Sequence, residues 1–269
     1  MGFAAVISLF DWPVLSTPTF VGTDNFTRML SDDLFWKSLG ITTLYTVISV
    51  PLGMAAGLGL AILLNQKIRG LALFRTLYYI PAVVTGVSLA VLWWMMYNTE
   101  YGIINGFLKL VGLPAVPWLT HTAWVLPALI IMSLWQVGAG IVIYLAGLQG
   151  IPTELYDAAS IDGANGPAKF RHITIPMLSP VLLFSFVLGV IGSFQSFTNA
   201  LVMTNGGPSQ ASLFFVLYIY RNAWNYNQMG YAAALSWALF VVILIFVIII
   251  FRATSSRVFY SGSSVKGGI

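Results

Sequence analysis

The 269-residue chain has no cysteine, which excludes disulfides, thiolate metal centres and a cysteine nucleophile. Charge is almost as scarce. Only 7% of residues are Asp, Glu, Lys or Arg, against roughly 25% in an ordinary soluble domain. So thin an ionic cover cannot solvate a water-facing surface, and a chain this apolar does not stay disordered. Histidine occurs only at His121 and His172. Neither has a ligand partner at helical spacing, so no metal centre is expected. The phosphate-loop pattern G-x-x-x-x-G-K-[S/T] is missing, and no lysine follows a glycine, so no cradle for nucleotide phosphates is expected in this chain. No Ser-His-Asp set can be gathered on one side of a membrane. An enzyme is therefore not expected. The net charge of +4 reports basic loops between apolar runs rather than affinity for nucleic acid.

What the sequence has in plenty is apolar surface. Fifty-eight per cent of residues are hydrophobic, with 18 Phe, 12 Tyr and 9 Trp, which fits lipid-facing helices with aromatic belts. A membrane-spanning helix needs about 20 mostly apolar residues. Five runs qualify: Leu39–Leu64, Thr76–Tyr97, Ala123–Leu148, Met177–Met203 and Gly230–Phe251. None holds an acidic or basic residue. Proton-driven carriers normally need such groups inside the membrane. A sodium-coupled carrier can use backbone carbonyls, so a stand-alone secondary carrier stays as the alternative. Residues 1–10 are apolar but short, and read as the outer end of a partial first transmembrane helix. The expected fold class is an all-α polytopic membrane protein with six spans. Pro51, Pro81 and Pro127 predict kinks. Gly53, Gly57 and Ala61, with Ala56 beside them, form a small-residue stripe suited to close helix contact.

Orientation follows the basic residues. One side holds Lys67, Arg69, Arg75, Lys169, Arg171, Arg252, Arg257 and Lys266 against Glu154, Asp157 and Asp162. The other holds Arg28, Lys37, Lys109 and Arg221 against Asp11, Asp24, Asp32, Asp33 and Glu100. The first side is therefore predicted to be cytoplasmic. Residues 11–38 become an extracytoplasmic segment, residues 39–251 the transmembrane core and residues 252–269 a cytoplasmic tail.

The one long cytoplasmic loop, 149–176, is where a functional segment is expected. Pro152 suits a helix N1 position, with Glu154 and Asp157 favourable near that N-terminus. Leu155, Ala158, Ala159 and Ile161 make a short amphipathic stripe. Gly163 can take positive φ and close the helix. Pro167 then starts a second helix, which Pro176 is expected to end. The loop thus reads as two short helices bent at Asp162-Gly163.

This loop runs Glu154-Leu155-Tyr156-Asp157-Ala158-Ala159-Ser160-Ile161-Asp162-Gly163, then reaches Ile173 and Ile175-Pro176. It resembles the EAA loop of the integral-membrane subunits of binding-protein-dependent ABC importers. The spacing of acid, Ala-Ala, Gly, Ile and the residue before Pro all agree, with Asp for Glu at 157 and Ile for Leu at 175. Phe20-Val21-Gly22, Asn25-Phe26, Gly102 with Asn105, and Asn205-Gly206-Gly207-Pro208 resemble sugar permeases of the maltose and glycerol-phosphate type. The last resembles the first of their two permeases. The resemblance implies a permease subunit in a prokaryotic cell membrane, with no covalent chemistry and no cofactor of its own. Its expected partners are a second homologous permease, two nucleotide-binding subunits carrying ATP and Mg, an extracytoplasmic solute-binding protein, the lipid bilayer and a carbohydrate, with no nucleic acid. Glu154, Asp157, Ala158, Ala159, Asp162 and Gly163 would couple to the ATPase. The acids would meet basic groups, the alanines would allow close approach, and the glycine would make the bend.

A substrate pathway is sought among neutral polar groups in the spans. The richest cluster is Phe194-Gln195-Ser196-Phe197 with Asn199. On a continuous helix Gln195 and Asn199 share a face, and amides beside aromatic rings suit a sugar's hydroxyls and C–H faces. The resembling permeases place sugar contacts in this helix, while an equal use for such amides is gluing helices together. Trp135 with Gln136 is a further candidate. Trp93, Trp94 and Tyr97 are expected to form an outer interfacial belt.

Overall fold

The computed structural model describes residues 2–13, 16–66 and 71–254. The expected basic residues Lys67, Arg69, Arg257 and Lys266, and the tail beyond residue 254, lie outside the described residues. The described chain is almost wholly helical. The helices are α1 (Gly2–Ile7), α2 (Asp24–Leu30), α3 (Asp33–Leu64), α4 (Leu71–Val83), α5 (Gly86–Met96), α6 (Ile103–Leu110), α7 (Thr122–Trp135), α8 (Gly138–Gln149), α9 (Thr153–Ile161), α10 (Gly166–Lys169), α11 (Ile175–Phe194), α12 (Thr198–Met203), α13 (Phe215–Tyr220) and α14 (Met229–Thr254). A two-stranded antiparallel ribbon pairs β1 (Phe10–Asp11) with β2 (Thr19–Phe20).

Three stretches are long and apolar enough to cross a membrane: Asp33–Leu64, Gly166–Met203, which is interrupted at residues 195–197, and Met229–Thr254. Two further crossings are bent pairs, α4 with α5 and α7 with α8, which brings the number to five among the described residues. The expected runs Thr76–Tyr97 and Ala123–Leu148 are therefore present but broken. The breaks do not fall at the prolines. Pro51, Pro81 and Pro127 all lie inside helices. The α4–α5 break falls instead at Thr85, which is extended, and Gly86, whose φ of +67° only glycine adopts cheaply. Apolar side chains such as Val47, Leu63, Phe184 and Ile249 are about half exposed along these helices. In water that would be costly; against lipid it is the normal outer face of a span.

The chain divides into two units. The first comprises residues 1–50, 84–134 and 190–246. Its core is aromatic: Tyr45 packs on Phe214 at 4.9 Å, Phe35 on Phe215 at 5.6 Å and Tyr97 on Trp118 at 5.4 Å. Tyr97 and Trp93 are buried, and Tyr97 donates to the Ala128 carbonyl at 2.7 Å. The expected interfacial belt thus keeps only Trp94, which is exposed; the other two fill the core because α5 turns them inward.

Short polar signals in this unit prove architectural. Asn105 is fully buried and satisfied: its amide donates to the Thr99 and Val116 carbonyls and accepts from Val116 N and Trp118 Nε1. Asn25 donates to the Ser8 and Phe10 carbonyls, each at 2.9 Å. The Asn205–Pro208 turn is held by Arg221, which donates to the Asn205 carbonyl, and by Ser212, which donates to the Gly207 carbonyl at 2.5 Å.

The second unit comprises residues 51–83, 135–189 and 247–269, described as far as 254. Its core joins Ala61, Leu64, Ile141, Tyr144, Leu148 and Leu178. The small-residue stripe is used in part. Ala61 is fully buried, and a methyl at Gly57 would meet the Tyr144 ring at 3.1 Å, whereas Gly53 faces open space. Gly138 lies against the Tyr78 carbonyl, closer than any side chain would allow.

Candidate functional site

The 149–176 segment lies wholly in the second unit. Pro152 takes the N-cap rather than N1, with Thr153 opening α9 and Glu154 in its first turn. The helix ends as a Schellman motif. Gly163 N donates to the Ser160 carbonyl at 3.1 Å and Ala164 N to the Ala159 carbonyl at 2.8 Å, with Gly163 at φ +75°. The fixed distance from the alanine pair to the glycine is therefore the spacing this closure requires.

One face of α9 is anchored. The Tyr156 hydroxyl lies 2.9 Å from Thr174 Oγ1, and the Tyr156 side chain packs on the unit's core. Lys169 donates to Ser160 Oγ at 2.6 Å, and Ser160 in turn to the Tyr156 carbonyl at 2.7 Å. The opposite face is free. At 100° per residue, Glu154, Asp157, Ala158, Ile161 and Asp162 share one side of the helix, and all five are exposed. Ile161 is 88% exposed. Leu155 and Ala158 are exposed as well, so of the expected apolar stripe only Ala159 is partly covered. The three carboxylates have no hydrogen-bond or ion-pair partner among the described residues.

The second expected helix starts where the sequence indicates. Asn165 caps it by accepting from Ala168 N at 3.0 Å, with Pro167 in the first turn. It does not end at Pro176. A π-helical turn, Phe170–Thr174, carries α10 straight into α11. That turn shifts the local hydrogen bonding from i−4 to i−5, which accommodates a proline lacking N–H two residues later. Sequence reasoning missed Tyr156, Ser160, Lys169 and Thr174 as anchors. A signal existed for the first pair, whose i, i+4 spacing permits the Ser160 back-bond.

The amide cluster lies in the first unit, and its expected geometry is overturned. α11 stops at Phe194, residues 195–197 are non-helical, and α12 begins at Thr198. Gln195 and Asn199 therefore do not share one helix face. The break seats two rings on different partners: Phe194 on Phe246 at 5.1 Å, Phe197 on Tyr220 at 5.2 Å. Ser193, meanwhile, hydrogen-bonds Thr46 at 2.9 Å. Phe194 is fully buried and acts as packing, while Gln195 is exposed and Ser196, Phe197 and Asn199 are partly so. Neither the Gln195 nor the Asn199 amide has a hydrogen-bond partner among the described residues.

Comparison with known proteins places this helical, apolar chain in a family. Residues 49–259 match the family described as binding-protein-dependent transport system inner membrane component. The chain belongs to that family. It is thus a multi-pass membrane subunit of an ATP-driven importer, which sets aside the stand-alone carrier. Among its relatives, the probable ABC transporter permease protein YesP of Bacillus subtilis is 36% identical over 97% of this chain and 85% of its own length. The trehalose/maltose transport system permease protein MalF of Thermococcus litoralis is 36% identical over 88% and 81%. In fold, the chain is similar to a subunit of a bacterial ABC transporter involved in alginate import. That match has a TM-score of 0.82 at 22% identity and covers 95% of this chain and 89% of the other.

Proposed function

We propose that this permease forms half of the translocation pathway for a carbohydrate or related polyol, and that α9 with its glycine turn is the element through which a separate ATPase drives it. The free acidic face of α9 carries the reading. A helix anchored on one side by Tyr156 and Thr174, with three unpartnered carboxylates and a bare isoleucine on the other, is built to enter a cleft on another chain. Rigid-body movement of that chain would then reach α11 through the Tyr156–Thr174 and Ser160–Lys169 bonds. Relatives named for trehalose/maltose, lactose and arabinooligosaccharide transport support a carbohydrate cargo.

The assembly would comprise a second homologous permease, two ATPase subunits holding ATP and Mg, and an extracytoplasmic solute-binding protein. The loop and the C-terminal tail would face the cytoplasm, as the basic residues require. Gln195, Ser196, Phe197 and Asn199 would meet the sugar as it passes, their free amides pairing with hydroxyls. Co-expression with the neighbouring ATPase and permease, followed by purification on a tag carried by this chain, should recover all three. Vesicles holding them should accumulate solute only with ATP and the binding protein. Accumulation by this chain alone, without nucleotide, would falsify the reading.

A further inference from the structure

Away from both segments, the first unit carries a polar cleft of about 390 Å³ between the end of α2, the start of α3 and the 218–228 stretch. Its size lies at the low end for small-molecule sites. Arg28 and Asp32 both line it, yet they do not pair with each other. Arg28 lies with its guanidinium carbon 4.2 Å from the centroid of the Tyr231 ring and gives one Nη2 hydrogen bond to Gln228 Oε1 at 2.8 Å. A guanidinium has five N–H donors, so most remain available. Asp32 accepts from the Tyr218 hydroxyl, from the Tyr231 hydroxyl at 2.5 Å and from Leu34 N at 2.9 Å. Burial opposes its charge, but these bonds together hold its carboxyl below the ordinary range. It is therefore a fixed, ionised acceptor. The Gln228 and Asn222 amides and the half-exposed Tyr226 ring complete the lining.

Fixed donors, fixed acceptors and an aromatic ring around one small cleft are the requirements of a pyranose. The two opposite charges cancel, so an anionic sugar gains no net attraction to offset the cost of desolvating its carboxylates, and a neutral one is preferred. We infer that this cleft is a subsite holding one ring of a neutral oligosaccharide on the outer face. The inference rests on the carbohydrate-import reading and its orientation, and adds to it both a place and a charge class.

The test uses the assembled transporter in nanodiscs, without binding protein, and in a Gln195→Ala, Asn199→Ala background so that the other polar segment contributes nothing. Saturation-transfer NMR is recorded with maltotriose, cellotriose and mannotriose, and with trigalacturonate. At least one neutral trisaccharide should bind, and trigalacturonate more weakly. Tyr226→Ala and Arg28→Gln should each raise Kd about tenfold or more, while Tyr226→Phe, which keeps the ring, should restore binding. Thermal melting of each variant separates lost binding from lost fold. Absence of neutral binding, equal affinity in Tyr226→Ala and Tyr226→Phe, or a preference for trigalacturonate overturns the subsite. If the parent complex hydrolyses ATP yet imports no carbohydrate with its binding protein, the import reading fails instead.

Discussion

Two regions of this permease use the same residue type in opposite ways. On α9, Glu154, Asp157 and Asp162 stand exposed with no partner among the described residues. Between α2 and α3, Asp32 is bound by two tyrosine hydroxyls and a backbone N–H. The first arrangement leaves charge for another chain to meet. The second locks the end of α2 to α13 and α14 and keeps a single ionised oxygen pair facing a cleft. A carboxylate's role here is set by what its own fold gives it to bond with, not by its neighbours in sequence.

The largest effect that could break this comparison is expected at the Gly163 turn. Gly163→Pro cannot adopt φ near +75° and removes the N–H that reaches Ser160. ATP-driven uptake in reconstituted vesicles should fall by roughly a hundredfold or more, since the turn that positions the proposed coupling helix is lost, while membrane insertion is unchanged. Asp157→Lys should act in the same direction by reversing charge on the free face. Normal uptake in both would remove α9 from the coupling role.

Next in size, Gln195→Ala and Asn199→Ala should each lower uptake about tenfold, the cost of a lost pair of hydrogen bonds to cargo, with assembly intact by size-exclusion chromatography. Unchanged kinetics would reassign these amides to helix contact. A smaller change is expected for Tyr156→Phe. It removes the bond to Thr174 and should cost about 1 kcal/mol, visible as earlier melting and a modestly weaker coupling ratio of solute to ATP.

The smallest effect sharpens the Asp32 half of the comparison. Asp32 has its folded pKa below its ordinary value, so its contribution to stability is present above about pH 4 and disappears as pH falls through the folded value. Asp32→Asn should flatten that acid limb and also bring the alkaline limb to lower pH, because Tyr218 then loses the part of its upward push that Asp32 supplies. On that alkaline side Tyr218 acts, because burial and the adjacent Asp32 push its hydroxyl up to about 12. Stability tied to it should therefore decline between about pH 10 and 12. An acid limb as steep in Asp32→Asn as in the parent contradicts the assignment.

Much of the 149–176 loop was legible in sequence because its demands are local. A helix end that turns through positive φ is best made by glycine, so Gly163 marks the turn before any tertiary contact is known. Pro167 likewise marks the start of the next helix, in whose first turn it lies. The rest was hidden because its causes are not local. The break at residues 195–197 serves two rings with partners 52 and 23 positions away, Phe246 and Tyr220, and nothing between Phe194 and Asn199 forbids a straight helix. Pro176 looked like a terminator because its usual penalty assumes α geometry, which the π-helical turn before it avoids. The Asp32 cleft left no trace at all, since its walls come from residues 28–34 and 218–228.

By itself the sequence determined that this protein lives in a membrane, which runs cross it, and that a bent acidic helix projects from one loop. Apolar period, charge scarcity and turn chemistry are properties of neighbouring residues. Tertiary structure alone decided which polar groups are spent on the fold and which stay free. Asn25 and Asn105 are consumed by distant backbone, while Gln195, Asn199 and the α9 carboxylates are not. Hydrogen bonds are short-ranged, so only folding decides which distant groups come within 3 Å of one another.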